Sequence, residues 1–166
     1  MSRAIYIETF DPITCDNLDI IKRSYDLFST LIIGISGKNK KTLFSMKERL
    51  TLVKDCVSKI GIPVDVVEIP GLPINYCNKY HIKYMIRSIR SGTNLEKEME
   101  VCNICKNIGN VQTIFLPASH DHSYVSSESV VQLAKFGHCV NGYVTDNVST
   151  ALQSKLSQIK TKNIIL

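Results

Sequence analysis

The sequence predicts an α/β fold: an open, parallel, five-stranded sheet with helices on both faces and further helices at the C-terminal end. Three observations lead there. Short runs rich in Ile, Val and Tyr alternate with amphipathic segments along most of the 166 residues, the order expected of repeated βα units. At 44% hydrophobic the chain can fill one compact core, and its length suits one domain over residues 1–166 rather than two. No internal repeat, low-complexity tract or linker breaks the alternation.

The first strand is read at residues 4–7, before the loop Glu8-Thr9-Phe10-Asp11-Pro12-Ile13-Thr14 and a helix at 18–28. A second strand at 31–35 leads to Ser45-Met46-Lys47-Glu48, a hydroxyl three residues before a carboxylate, which is the capping-box pattern. Leu50, Val53, Val57 and Ile60 then recur at helical spacing, and Gly61 and Pro63 stop this helix, 46–60, before a third strand at 64–69. A helix at 74–80, a strand at 84–86, a helix at 95–107 and a strand at 111–116 follow. Beyond a loop at 117–124 come helices at 127–136 and 147–159, and a frayed tail is expected at 160–166. The whole reads as a Rossmann-like, doubly wound sheet.

Lys and Arg number 20 against 15 for Asp and Glu, a formal charge of +5, which suits an anionic ligand. Apart from Lys38-Asn39-Lys40-Lys41 there is no basic block, and the aromatics are too scattered for a base-stacking platform, so nucleic acid is not the expected partner. Met1-Ser2-Arg3 runs straight into the first strand and no stretch is apolar enough to span a bilayer, so a soluble cytoplasmic protein is expected. The six cysteines then read as reduced thiols. Cys102 and Cys105 have metal-ligand spacing, with His120 and His122 as conceivable partners, but two thiols three apart on a helix are better read as small hydrophobes, and no protein metal site is expected.

In an open parallel sheet, ligands bind where strands end and helices begin, because free N–H groups and the positive helix end point there. Thr9 to Thr14 occupies that place after the first strand. Ser126-Ser127-Glu128-Ser129 offers hydroxyls and backbone donors at another helix start, with simple N-capping as the alternative. Ile86-Arg87-Ser88-Ile89-Arg90 brings two guanidinium groups out of the fourth strand, apt for oxyanions or for ion pairs with Glu96 and Glu98.

Taken in order, Thr9-Phe10-Asp11-Pro12-Ile13-Thr14, a lysine pair after the second strand, Ile86 to Arg90 followed by Leu95-Glu96-Lys97-Glu98-Met99, and Tyr124-Val125-Ser126-Ser127-Glu128-Ser129-Val130 resemble the phosphopantetheine adenylyltransferase family of the nucleotidyltransferase superfamily. The resemblance runs from about residue 4 to 155. It implies an enzyme of coenzyme A synthesis that joins ATP and 4′-phosphopantetheine with Mg²⁺, assembles as a homo-oligomer, commonly a hexamer, and leaves room for coenzyme A as a feedback ligand. Carried over by position, Thr9 would meet both substrates and the Phe10 backbone would approach ATP. Lys40, or its neighbour Lys41, would neutralise phosphate at the reacting centre, while Arg87 and, more loosely, Pro73 would hold phosphopantetheine. Ser88, Ile89, Arg90 and Glu98 would border ATP, and His122, Ser123, Tyr124, Val125, Ser126, Ser127 and Glu128 would wrap it. Asn17, Lys40 and Arg90 are the expected catalytic groups.

The chain departs from the family pattern where the loop enters the helix. After the motif the family has a residue, then Gly, then His; this chain has Cys15-Asp16-Asn17. Asn17 can donate through its amide but carries no charge, and Asp16 is expected to add negative charge beside a polyphosphate. Restoring Gly and His is accordingly expected to raise the rate. Glu8, Ser88 and Val131 replace a Gly, a Gly and a basic residue. Two classes of function therefore stand: an active adenylyltransferase with a drifted signature, or a non-catalytic nucleotide or coenzyme A binding protein on the same scaffold. A related nucleotidyltransferase using CTP or another phosphate is a third reading.

Overall fold

The computed structural model describes residues 2–37, 41–90, 92–119 and 126–164. Strands β1 (Arg3–Glu8), β2 (Thr30–Ser36), β3 (Asp65–Ile69), β4 (Tyr84–Ile89) and β5 (Gln112–Pro117) alternate with helices α1 (Cys15–Leu27), α2 (Met46–Lys59), α3 (Pro73–Lys79) and α4 (Gly92–Gly109). Helices α5 (Ser127–Lys135) and α6 (Asp146–Ile164) follow. The strands form one sheet in the order β3-β2-β1-β4-β5, and every neighbouring pair is parallel. In the central strand Ile5 stands opposite Ile32 on one side and Met85 on the other.

The pleat of β1 divides the core in two. Ala4 and Tyr6 join Leu31, Ile33 and Ile86 in a cluster completed by residues of α1, α2, α5 and α6, such as Ile20, Val53, Val130 and Leu152. Ile5 and Ile7 point the other way and join Ile32, Met85, Ile74, Cys77 and Cys105 beneath α3 and α4. Both faces are therefore sealed, as parallel strands require, and each fully buried aliphatic side chain contributes about 1.5–3 kcal/mol.

Most element limits differ from the sequence expectation by a residue or two; the larger shifts have physical causes. The first helix begins at Cys15 and not at Leu18, because Thr14 caps it and Asn17 closes a capping box. Strand β4 continues to Ile89, paired through Arg87 with Phe115 and through Ile89 with Pro117. The last helix runs on to Ile164, so the expected frayed tail is helical as far as it is described. Cys105 packs in the second core cluster near Cys77, whose thiol is pushed up to about 11 by burial. Among the described residues no group of three or more His, Cys, Asp or Glu side chains could hold a metal ion, and no helix is long and apolar enough to cross a membrane.

Candidate active site

From β1 the chain moves outward to β2 and β3, then returns to the other side of β1 to lay down β4 and β5. The loops leaving β1 and β4 thus diverge, and ligands bind beyond the carboxyl ends of the strands at such a switch point. A cleft of about 740 Å³ opens here, walled by Glu8 to Asp11, Asn17, Lys41 to Leu43, Arg90, Ser126 to Glu128 and, further along α5, Val131, Gln132 and Lys135.

The loop after β1 is held from two sides. Phe10 takes a left-handed φ of 49°, unusual for a bulky residue, and packs edge-on against Tyr6 at a centroid distance of 5.6 Å. The Asp11 carboxylate accepts backbone N–H bonds from Leu43 at 2.7 Å and Phe44 at 2.9 Å, which ties the segment carrying Lys41 and Thr42 to the cleft. Arg49 reaches up from α2 and donates through Nη1 to the carbonyls of Thr9, 2.6 Å, and Ser36, 3.0 Å. Neither Asp11 nor Arg49 had an expected role. Their partners are backbone groups 13 to 40 residues away, which no local motif announces.

At the start of α1, Thr14 N–H and its hydroxyl both donate to Asn17 Oδ1, while the Thr14 hydroxyl accepts from Asn17 N–H. The Asn17 amide then donates to the Tyr6 phenol at 3.0 Å, a phenol that burial keeps well above its ordinary pKa. Asn17 does line the cleft, so its side chain serves helix start and cleft wall together. Asp16 corrects an expectation. Its side chain is only 1% exposed and does not line the cleft, and Oδ2 accepts from Arg90 Nε at 3.0 Å and Nη2 at 2.8 Å. The charge expected to oppose a polyphosphate is paired with a cation.

Arg87 is tied up in the same manner. It donates to both carboxylate oxygens of Glu98, at 2.7 and 2.9 Å, and to the Ile7 carbonyl at 2.9 Å. Burial alone would lower its pKa, but the Glu98 bonds and the Glu8 charge raise it on balance. Glu8 closes the row: burial pushes its carboxyl up, Arg87 and Arg90 pull it down, and Glu98 and Asp16 push it up again.

At the far wall Ser126 caps α5, accepting from Ser129 N–H at 3.1 Å, and Ser127 donates to the Pro12 carbonyl at 2.8 Å. The second bond clamps the N-terminus of α5 against the β1 loop. Of the expected site residues, the cleft unites Thr9, Phe10, Asn17, Arg90, Ser126, Ser127 and Glu128. It does not include Arg87, Ser88, Ile89, Glu98 or Pro73; Ser88 is buried, Ile89 takes its place in the β4–β5 ladder, and Pro73 opens α3 on the other face of the sheet. Lys40 and residues His122, Ser123, Tyr124 and Val125 lie outside the described residues. Lys41, the alternative to Lys40, is on the wall.

The arrangement suits polyphosphate: cationic Lys41, Arg90 and Lys135, together with Thr9 and the N-terminus of α5, line one space. Residues 5–133 match the cytidylyltransferase-like family. The chain is 37% identical over 160 residues to the phosphopantetheine adenylyltransferase of Thermotoga neapolitana, covering 95% of this chain and 98% of that one. It is 38% identical over 150 residues to the enzyme of the same name from Clostridium kluyveri, covering 89% and 91%. Among solved structures, a bifunctional NMN adenylyltransferase/ADP ribose pyrophosphatase from Francisella tularensis superposes with a TM-score of 0.72 over 99% of this chain and 53% of that one, at 13% identity, a likeness of fold. With a cation-bearing cleft at the switch point and relatives this similar along nearly the whole length, the chain belongs to the phosphopantetheine adenylyltransferases of the cytidylyltransferase-like family.

Proposed function

We propose that the protein transfers the adenylyl group of ATP to 4′-phosphopantetheine, giving dephospho-coenzyme A and pyrophosphate, as one domain working in the cytoplasm. The observation that carries this reading is the single cleft shared by the β1 loop, Lys41, Arg90 and the N-terminus of α5. An oxygen of the phosphopantetheine phosphate attacks the α-phosphorus of ATP, the bond from that phosphorus to the bridging oxygen breaks, and pyrophosphate leaves. No protein nucleophile is needed, so the chain contributes orientation and a fixed electrostatic field.

In this mechanism Thr9 stands between the two phosphorylated substrates, its backbone fixed by Arg49. Arg90, Lys41 and the first turn of α5 neutralise the triphosphate. Asn17 keeps α1 aimed at the reacting phosphates through its capping box. Arg87 lies at the same end of the sheet, where the phosphopantetheine phosphate would compete with Glu98 for it. Mg²⁺ characteristically takes one or two carboxylates together with substrate phosphate oxygens. The exposed Glu128 carboxylate on the cleft wall fits that donor set, and the ion would neutralise charge on the triphosphate.

Assembly into a homo-oligomer is supported by α4, which exposes Leu95, Met99, Val101, Ile104 and Ile108, an apolar display that a second copy of the chain would cover. A pyrophosphate-release assay with ATP, 4′-phosphopantetheine and Mg²⁺ tests the activity. Turnover dependent on both substrates is expected; nucleotide binding without turnover would refute it.

A further inference from the structure

The signature histidine of the family is replaced by Asn17, which cannot bring a charge to the phosphates. A cation stands at the cleft nonetheless. Arg90 leaves the end of β4 and lines the same wall as Asn17, its side chain 22% exposed. Its conformation is set from beneath by Asp16, whose Oδ2 takes both Nε and Nη2 of the guanidinium. Two N–H groups on one edge meeting one oxygen fix the plane of the group as well as its place.

We propose that Asp16 is a positioning residue, holding the Arg90 guanidinium at the cleft wall for the nucleotide phosphates. This deepens the adenylyltransferase reading and rests on it. Two features separate the pair from an ordinary structural ion pair. Asp16 Oδ1 is buried with no hydrogen-bond partner among the described residues. A carboxylate retained for stability would have both oxygens satisfied, since a half-satisfied buried charge costs more than an apolar side chain in its place. The location is the second. Asp16 lies in the first turn of α1, where the helix dipole tolerates a buried anion, and its partner is a residue of the cleft wall. An arginine already fixed in its binding conformation loses less rotamer freedom when phosphate arrives.

The test is a double-mutant cycle on binding of an α,β-methylene ATP analogue, measured by calorimetry. Asp16→Asn keeps the shape and removes the charge, and Asp16→Gly restores the family residue. Each is expected to weaken binding about tenfold, which corresponds to about 1.4 kcal/mol. Arg90→Ala should weaken binding at least as much, and Asp16→Asn should add nothing in that background. Asp16→Glu should recover part of the loss. Wild-type affinity in Asp16→Asn, tighter binding in it, or an equal loss with Arg90 already removed would overturn the proposal. A wild-type chain that binds the analogue without turning over 4′-phosphopantetheine refutes the activity and leaves the cycle readable; failure of the wild type to bind would overturn both.

Discussion

Arg49→Met removes the clamp that joins the ends of β1 and β2. Arg49 is 3% exposed and spends Nη1 on the carbonyls of Thr9 and Ser36. Hydrogen bonds from a charged donor contribute about 1.5–3 kcal/mol each, so these two are worth about 3–6 kcal/mol gross. Against that stands the Nε of the same side chain, buried with no partner among the described residues, whose desolvation costs about 1–3 kcal/mol and is relieved by the substitution. Methionine keeps most of the aliphatic stem in place. Taking the middle of each range, the net expectation is a loss of about 2.5 kcal/mol in urea unfolding at unchanged m-value. Because Thr9 is one of the two anchored residues, kcat/KM should fall by about 10²-fold, the scale of displacing a positioned group. Arg49→Lys, which retains one ammonium donor, should fall between the two. An unfolding midpoint equal to wild type, with kcat/KM unchanged, would refute the clamp.

Glu8 makes the site sensitive to pH. Burial raises its carboxyl above the ordinary 4.5, so the folded chain binds this proton more tightly than the unfolded one; that stability is full below pH 4.5 and is lost as pH rises through the folded value. The ionised Glu8 also opposes a triphosphate, so KM for ATP should rise over the same window, and Glu8→Gln should flatten both profiles; a variant with the wild-type pH dependence would exclude Glu8 as the source. Glu48 behaves in the opposite sense, held down to about 2 by Lys155 and the Ser45 N–H. Unscreened, that shift corresponds to about 3 kcal/mol, but its side chain is 41% exposed and screening reduces this to about 1. Glu48→Gln should therefore lose about 1 kcal/mol at neutral pH in urea unfolding, with the gap to wild type closing as pH falls toward 2; a pH-independent gap would refute the charge contribution. At Gly34 an added Cβ would lie 2.8 Å from Ile69 Cγ1 and 3.0 Å from Ile7 Cγ1, so Gly34→Ala should cost about 1–3 kcal/mol by overpacking, and a wild-type urea midpoint would show that these side chains can move aside.

The βα alternation was legible because parallel strands buried on both faces leave dense apolar runs, and because Ser45 with Glu48 announces α2 in its own sequence. The start of α1 was not, since Asn17 is an uncommon closing residue for a capping box usually completed by Glu or Gln. The length of α4 was blurred by its own outer face, where Leu95, Met99, Ile104 and Ile108 are exposed and hide the helical period. At the site, the motifs pointed to Thr9, Arg90 and Ser127, and these three line one cleft. The pairing of Asp16 with Arg90 spans 74 residues and that of Asp11 with the 43–44 backbone spans 32 and 33. Such contacts belong to the topology and leave no trace in local spacing.

The departures from the family pattern make sense as one set of charges once the topology is known. Taken singly, Glu8, Asp16 and the uncharged Asn17 each argue against phosphate. In the fold, Asp16 neutralises Arg90 from below and Glu98 neutralises Arg87, leaving Glu8 as the carboxylate whose ionisation alters the balance between those pairs. Lys41 and Lys135, by contrast, are exposed on the cleft wall. Exposed cations attract a polyphosphate over a distance and are screened by salt, whereas a buried pair acts at contact. Nucleotide association should therefore depend on ionic strength through the lysines, while the orientation of the bound triphosphate depends on whether Asp16 keeps Arg90 in place.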